Sequence, residues 1–149
     1  MLLIGSRALA LRSPNIIKLM KRKPKDFDFV ATQQEFETWM LEKSDKVKPT
    51  KIYSEKNKMI VEGSTPCEFE INVPGTSTEM LMSLVEGDKE SVGTPFGWVP
   101  TLDMLFTLKS SHKYLRNSPH FWKTLLDYHV LKKIGAKVRP EYQEFLKLR

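Results

Sequence analysis

A single cysteine, Cys67, in 149 residues excludes an intrachain disulfide, and with it the small stapled scaffolds that manage without a large core. The fold must therefore rest on burial, and a lone thiol suits a reducing compartment, so a cytoplasmic protein is expected. Long hydrophobic runs are equally scarce. No window approaches the roughly 20 continuous apolar residues of a membrane span. The apolar start Met1-Leu2-Leu3-Ile4 stops at Gly5 with charge following at Arg7, so no secretory leader is expected either. Histidine is sparse, with three residues, and none has the His-x-x-x-His spacing of a zinc helix. Internal repeats and low-complexity tracts are lacking, which argues against solenoids and biased linkers.

What is present is a chain of one-domain size with 24 Lys and Arg against 18 Asp and Glu, a formal charge of +6 and a pI near 9.4. This excess favours polyanionic partners such as nucleotides or nucleic acid, although both signs are mixed along the chain.

Leu2-Leu3-Ile4 reads as a short buried strand, and Gly5-Ser6 as the turn into a helix that Ser13-Pro14 interrupts. After the basic connector Lys21 to Lys25, residues Asp26 to Ala31 alternate polar and apolar, the pattern of a half-buried strand. Thr32-Gln33-Gln34-Glu35 is a capping box ahead of a helix whose apolar stripe is Phe36, Trp39, Met40 and Leu41. Lys51 to Tyr53, Lys58 to Glu62 and Pro66 to Val73 read as further strands. Thr76-Ser77-Thr78-Glu79 repeats the capping-box pattern before a second helix. Gly87 to Pro100 is the longest irregular stretch, and the chain beyond Thr101 is helical in pattern, with Phe121 to Lys133 as one helix. The expected fold class is α/β of the α+β kind: a mixed sheet flanked by helices over residues 1–95, with a C-terminal helical segment, 96–149, packed on it.

Two features carry chemistry. On a strand, Asp26 and Asp28 point to one side and Phe27 and Phe29 to the other, so one face is oily and its reverse is acidic. Carboxylates about 5 Å apart repel by roughly 3 kcal/mol at an effective dielectric of about 20, and a divalent cation reverses the sign. Glu68-Phe69-Glu70 repeats the pattern on a later strand. The second feature is Gly5-Ser6-Arg7. Glycine admits close backbone approach, the helix N-terminus and Ser6 offer donors to a phosphate, and Arg7 adds a forked donor.

The order strand, Gly-Ser turn, helix, Asp-x-Asp strand and later acidic strand resembles the DNA polymerase beta-type nucleotidyltransferase superfamily. The resemblance implies that Gly5 and Ser6 contact a triphosphate, and that Asp26, Asp28 and a third acid bind two Mg2+ or Mn2+ ions. Glu70, nearer the middle of its strand, is preferred to Glu68 as that acid. Nineteen residues, 7 to 25, separate the turn from Asp26, a longer gap than the superfamily usually shows, and a Glu stands where Asp is common. The segment Pro100 to Lys109, with His120-Phe121-Trp122-Lys123 and Asp127, resembles the helical part of small nucleotidyltransferases. It implies that Lys109 reaches the triphosphate and that Lys123 forms a salt bridge or contacts the nucleotide, and His112, which flanks the following loop, is expected among the nucleotide-binding residues with them. The implied activity is Mg-dependent transfer of a nucleoside monophosphate from an NTP such as ATP to an acceptor hydroxyl, on a nucleic acid, a protein or a small molecule. Two alternatives stay open: a phosphohydrolase on the same fold, using His112 or His120, and a non-enzymatic basic nucleic-acid binder. A histidine metal site from His112, His120, Asp127 and His129 is a looser possibility. Trp98 reads as a loop anchor or a base-stacking platform.

Overall fold

A computed structural model describes residues 1–20, 23–112 and 116–149. Lys21 and Arg22 of the basic connector lie outside the described residues. The chain runs β1 (Leu2–Ile4), α1 (Gly5–Arg12), α2 (Pro14–Met20), β2 (Phe27–Ala31), α3 (Gln33–Val47), β3 (Pro49–Glu55), β4 (Lys58–Gly63), β5 (Cys67–Ile71), α4 (Ser77–Glu86), β6 (Val92–Thr94), β7 (Gly97–Val99), α5 (Leu102–His112) and α6 (Phe121–Lys133). A 3-10 turn, Pro140–Tyr142, then leads into α7 (Gln143–Leu148). Among the described residues the strands form one seven-stranded mixed sheet in the order β3-β4-β5-β2-β1-β7-β6. The protein is thus mixed α/β.

Alternation along β2 and β5 decides which side of the sheet is dry. Phe29 and Phe69 are fully buried and stack at 4.8 Å, with Trp39 of α3 at 5.6 and 5.2 Å from them and Phe36 edge-on to Phe69. Burying aromatic side chains of this size stabilises by about 1.5–3 kcal/mol each, so this cluster fixes α3 on the oily face. The register follows from it, because a one-residue slip would turn every phenylalanine outward. Strands β2 and β5 pair in parallel with Asp28 opposite Glu68 and Val30 opposite Glu70, while β1 and β2 pair antiparallel with Ile4 opposite Asp28. The acids therefore share the reverse face.

The capping box at Thr32 forms as its sequence requires: the Glu35 amide donates to Thr32 Oγ1 at 3.0 Å, and the Thr32 amide donates to Glu35 Oε1 at 2.9 Å. The one expected at Thr76 does not. The Thr76 hydroxyl donates back to the Val73 carbonyl at 2.6 Å, so the preceding turn engages it and no side-chain cap closes α4. Leu41, expected on the apolar stripe of α3, is 85% exposed, because Phe36, Trp39 and Val47 already define the buried side. Asp26 falls in a bend one residue before β2 rather than on the strand.

The Gly- and Pro-rich stretch expected to be irregular contains the β6–β7 hairpin, which joins the sheet beside β1. The expected division at 95/96 lies inside this hairpin. Gly97, at φ +111°, makes the hairpin's approach possible, since a side chain there would stand 2.6 Å from the Met1 carbonyl. Trp98 sits on β7, 41% exposed, with its amide donating to the Met1 carbonyl.

Arg139 ties the C-terminal segment to this edge. Its guanidinium reaches Asp103 at 2.7 Å, Glu90 at 2.6 Å and Asp88 at 3.4 Å, and the bonds to Asp103 and then Glu90 raise its already high pKa. Tyr142 and Phe145, both buried, then seat the C-terminal turn and α7 against the core.

Candidate functional site

The acid face of the sheet opens into a cleft of about 610 Å³, walled by the start of α1, the connector before β2, strands β4 and β5, and helices α5 and α6. Local sequence explains why the chain turns there. Gly5 closes β1 and opens α1 at φ +72°, a left-handed conformation that glycine adopts at little cost. A methyl group on Gly5 would overlap the Asp28 carboxylate oxygen Oδ2, so only glycine lets the turn rest against that acid. The turn and the acid lie about 20 residues apart in sequence yet meet because β1 and β2 pair with Ile4 across from Asp28. Gly5 and Ser6 form the first turn of α1 at this end of the cleft, where the positive end of the helix dipole favours an anion.

Asp28 and Glu68 face each other across adjacent strands, about 4.8 Å apart at the backbone. Burial first, then the charge of Glu68, push the Asp28 carboxyl from 3.8 up to about 6, against the opposing pull of Lys109 and Lys58. Lys58 lies 3.8 Å from Glu68 in a pair that is over two-fifths exposed, too wet to neutralise it. Asp26 is exposed at the cleft mouth.

Glu70, expected as the third acid, is engaged otherwise. Both its oxygens accept from Arg149, at 2.6 and 2.8 Å, and the register places it opposite Val30 rather than Asp28. The strand centre was a poor guide, because the pairing partner and not the position within β5 sets which acid meets Asp28. Glu68 holds that place.

Most of the expected nucleotide-binding residues converge here. Gly5, Ser6, Lys109, His112 and Lys123 all line the cleft, together with His120 and with Lys23 and Lys25 of the connector. Arg7 does not line it. Its guanidinium lies 3.9 Å over the Phe27 ring and donates to the Lys25 carbonyl at 3.0 Å, so it pins the basic connector instead of reaching into the cleft. Lys109 is held by Asp127, which is fully buried, through a 2.9 Å ion pair linking α5 to α6. The His112 imidazole is pulled below its ordinary pKa by the surrounding protein and then by Arg149, Lys58 and Lys109, whose combined charge outweighs Glu70. His129 packs edge-on against Tyr128 and does not line the cleft. The loose histidine site is therefore not assembled. Trp98 is likewise absent from the cleft wall.

Among the described residues no group of three His, Cys, Asp or Glu side chains stands close enough to enclose a metal ion. Mg2+ can be held by one or two protein carboxylates, with water and phosphate oxygens completing its shell, so a pair of acids on one face could hold it. Asp28 and Glu68 are such a pair: like charges on one face, one of them mostly buried, with a glycine turn cleared against it.

This geometry spans two matched segments. Residues 1–85 match the family described as Domain of unknown function (DUF7277), and residues 104–149 match a second, Domain of unknown function (DUF7275). The chain belongs to the DUF7277 family. None of the curated proteins compared with it matches. The DUF7277 segment supplies the glycine turn, the acids and Lys58, and the DUF7275 segment supplies Lys109, His112, His120, Lys123 and Arg149. Neither matched segment alone builds the cleft. Among the described residues no helix is long and apolar enough to cross a membrane.

Arg149, Lys58 and Thr124 line the cleft without having been singled out in the sequence. Lys58 carried a readable signal, since it opens the strand that pairs with the acidic one. Arg149 carried none, because it reaches Glu70 across 79 residues of chain.

Proposed function

We propose that this protein is a divalent-metal-dependent nucleotidyltransferase with a nucleotidyltransferase-like core, moving a nucleoside monophosphate from an NTP to an acceptor hydroxyl. The observation that carries the reading is the contact between the Gly5 turn and the Asp28 carboxylate, inside one cleft that Lys109 also lines. A phosphate-binding turn beside an acid pair is the arrangement that phosphoryl chemistry requires.

Asp28 and Glu68 would hold the cation. It would neutralise the pair, draw in phosphate oxygens and lower the pKa of the attacking hydroxyl. The first-turn amides of α1 and the Ser6 hydroxyl donate to the phosphate chain. In the transfer, the acceptor oxygen bonds to the α-phosphorus, the bond from that phosphorus to the bridging oxygen breaks, and pyrophosphate leaves as the hydroxyl proton passes to water. Lys109, held by Asp127, and Lys123 offset the charge that builds on the leaving pyrophosphate. Nucleic acid is one acceptor compatible with the lysines at the mouth.

His112 and His120 on the same wall favour a second reading, in which water replaces the acceptor and the product is a hydrolysed nucleotide. Incubation with NTPs and Mg2+, with and without candidate acceptors, separates the two. Transfer releases pyrophosphate in proportion to labelled acceptor, whereas hydrolysis proceeds without an acceptor and yields free nucleoside monophosphate with pyrophosphate when water attacks the α-phosphorus, or the diphosphate with inorganic phosphate when it attacks the γ-phosphorus. Glu68→Gln is expected to abolish either activity while the fold is retained. Undiminished turnover in Glu68→Gln would reject the metal pair.

A further inference from the structure

The Glu70–Arg149 pair is unlike the other ion pairs of the cleft. Its side chains are only 13% and 11% exposed, and both terminal nitrogens of the guanidinium are matched to both carboxylate oxygens. End-on pairing of this kind uses one N–H on each terminal nitrogen. A guanidinium has five N–H donors, so the Nε–H and its neighbouring edge are left to other acceptors. Ser77 Oγ, at 3.5 Å from Nη1, satisfies that demand poorly. Arg149 meanwhile lines the cleft, on the side where Lys58 pairs in register with Glu70 and where His112 feels both residues. The arginine is thus fixed in one orientation with donors to spare, on the side of the cleft that Lys58 also lines.

We propose that Arg149 is a phosphate-contacting residue of the cleft and that Glu70 is its positioning residue, not a metal ligand. This rests on the nucleotide reading of the cleft but on no particular reaction. The physical gain is pre-organisation. An arginine side chain carries substantial rotamer freedom, and clamping one edge to a carboxylate removes that freedom before the anion arrives. Planar, forked presentation then selects two adjacent phosphate oxygens over a single charge.

The test is calorimetric titration of the protein with inorganic tripolyphosphate in metal-free buffer, with melting curves to verify that each variant is folded. Arg149→Met is expected to weaken binding about tenfold or more, the usual range for a lost charged hydrogen bond. Arg149→Lys, which keeps the charge and loses the fork, should weaken it several-fold, and it serves where Arg149→Met does not fold. Glu70→Asp keeps the carboxylate charge and moves it by one methylene, so it isolates positioning from electrostatics. It should weaken binding several-fold in the wild-type background and have no effect in the Arg149→Met background.

Wild-type affinity in Arg149→Met and Arg149→Lys would overturn the proposal, as would an equal effect of Glu70→Asp with and without Arg149. Absence of tripolyphosphate binding in the wild type would overturn it too. Arg149-dependent binding in a protein that turns over no NTP would support it while rejecting transfer.

Discussion

Replacing Asp28 by asparagine should make the protein more stable at neutral pH and inactive. In the unfolded chain this carboxyl titrates near 3.8, and in the fold burial and then Glu68 raise it to about 6. Between those values the folded state keeps a proton that the unfolded state has lost. The stability this group contributes is therefore intact below about pH 4 and declines as pH rises toward 6. Above that, the ionised carboxylate opposes folding by about 3 kcal/mol. Asparagine has nearly the same shape, no charge at any pH, and an amide that can donate to Glu68. The difference between Asp28→Asn and wild type should be small near pH 4 and approach about 3 kcal/mol by pH 7.5. For a chain of this size that is roughly 6–12 °C in Tm.

Urea denaturation of both proteins from pH 4 to 8 in metal-free buffer measures this difference, and subtraction removes the contribution of titrating groups that do not interact with Asp28. A second arm adds Mg2+. Wild type should gain stability as RT ln(1 + [Mg2+]/Kd), and Asp28→Asn should gain far less because half of the ion's ligand pair is gone. A difference that stays flat with pH, or an Asp28→Asn protein weaker than wild type at pH 7.5, would refute the claim that this acid sits in a destabilising, like-charged setting.

Two further substitutions probe the walls of the cleft. Lys109→Met removes a cation 2.9 Å from the fully buried Asp127 carboxylate and should lower the urea midpoint more than Asp127→Asn does; equal small effects would show that the pair is not structural. Gly5→Ala combines a left-handed backbone, costing about 1–2 kcal/mol, with a methyl driven into the Asp28 carboxylate, so both Tm and NTP turnover should fall; an unchanged Tm would mean that the turn relaxes freely.

What the sequence made legible was local. The strand–turn–helix at Gly5, the helix break at Ser13-Pro14, the capping box at Thr32 and the helix Phe121–Lys133 are each set by a few neighbouring residues, and each stands in the structure as its pattern requires. The Thr76 cap failed because a threonine hydroxyl has several acceptors within reach and the Val73 carbonyl was the nearer one. The hairpin Val92–Val99 is not legible in the sequence because three-residue strands have no periodicity to read, and only the pairing of β7 with β1 and of β6 with β7 makes them strands.

Within the site, the limit of sequence reasoning falls between Glu68 and Glu70. Both lie on the same face of β5, two residues apart, and nothing local distinguishes their chemistry. Parallel pairing with β2 sets Glu68 opposite Asp28, and a chain segment 79 residues away delivers Arg149 to Glu70. One acid is thereby left beside a like charge, and the other is neutralised. The strain at Asp28 and the clamp at Arg149 thus have one origin, the register of β2 on β5. That register is fixed on the opposite face of the sheet by Phe29 and Phe69. The packing of the oily side consequently determines which carboxylate on the wet side is available to a cation.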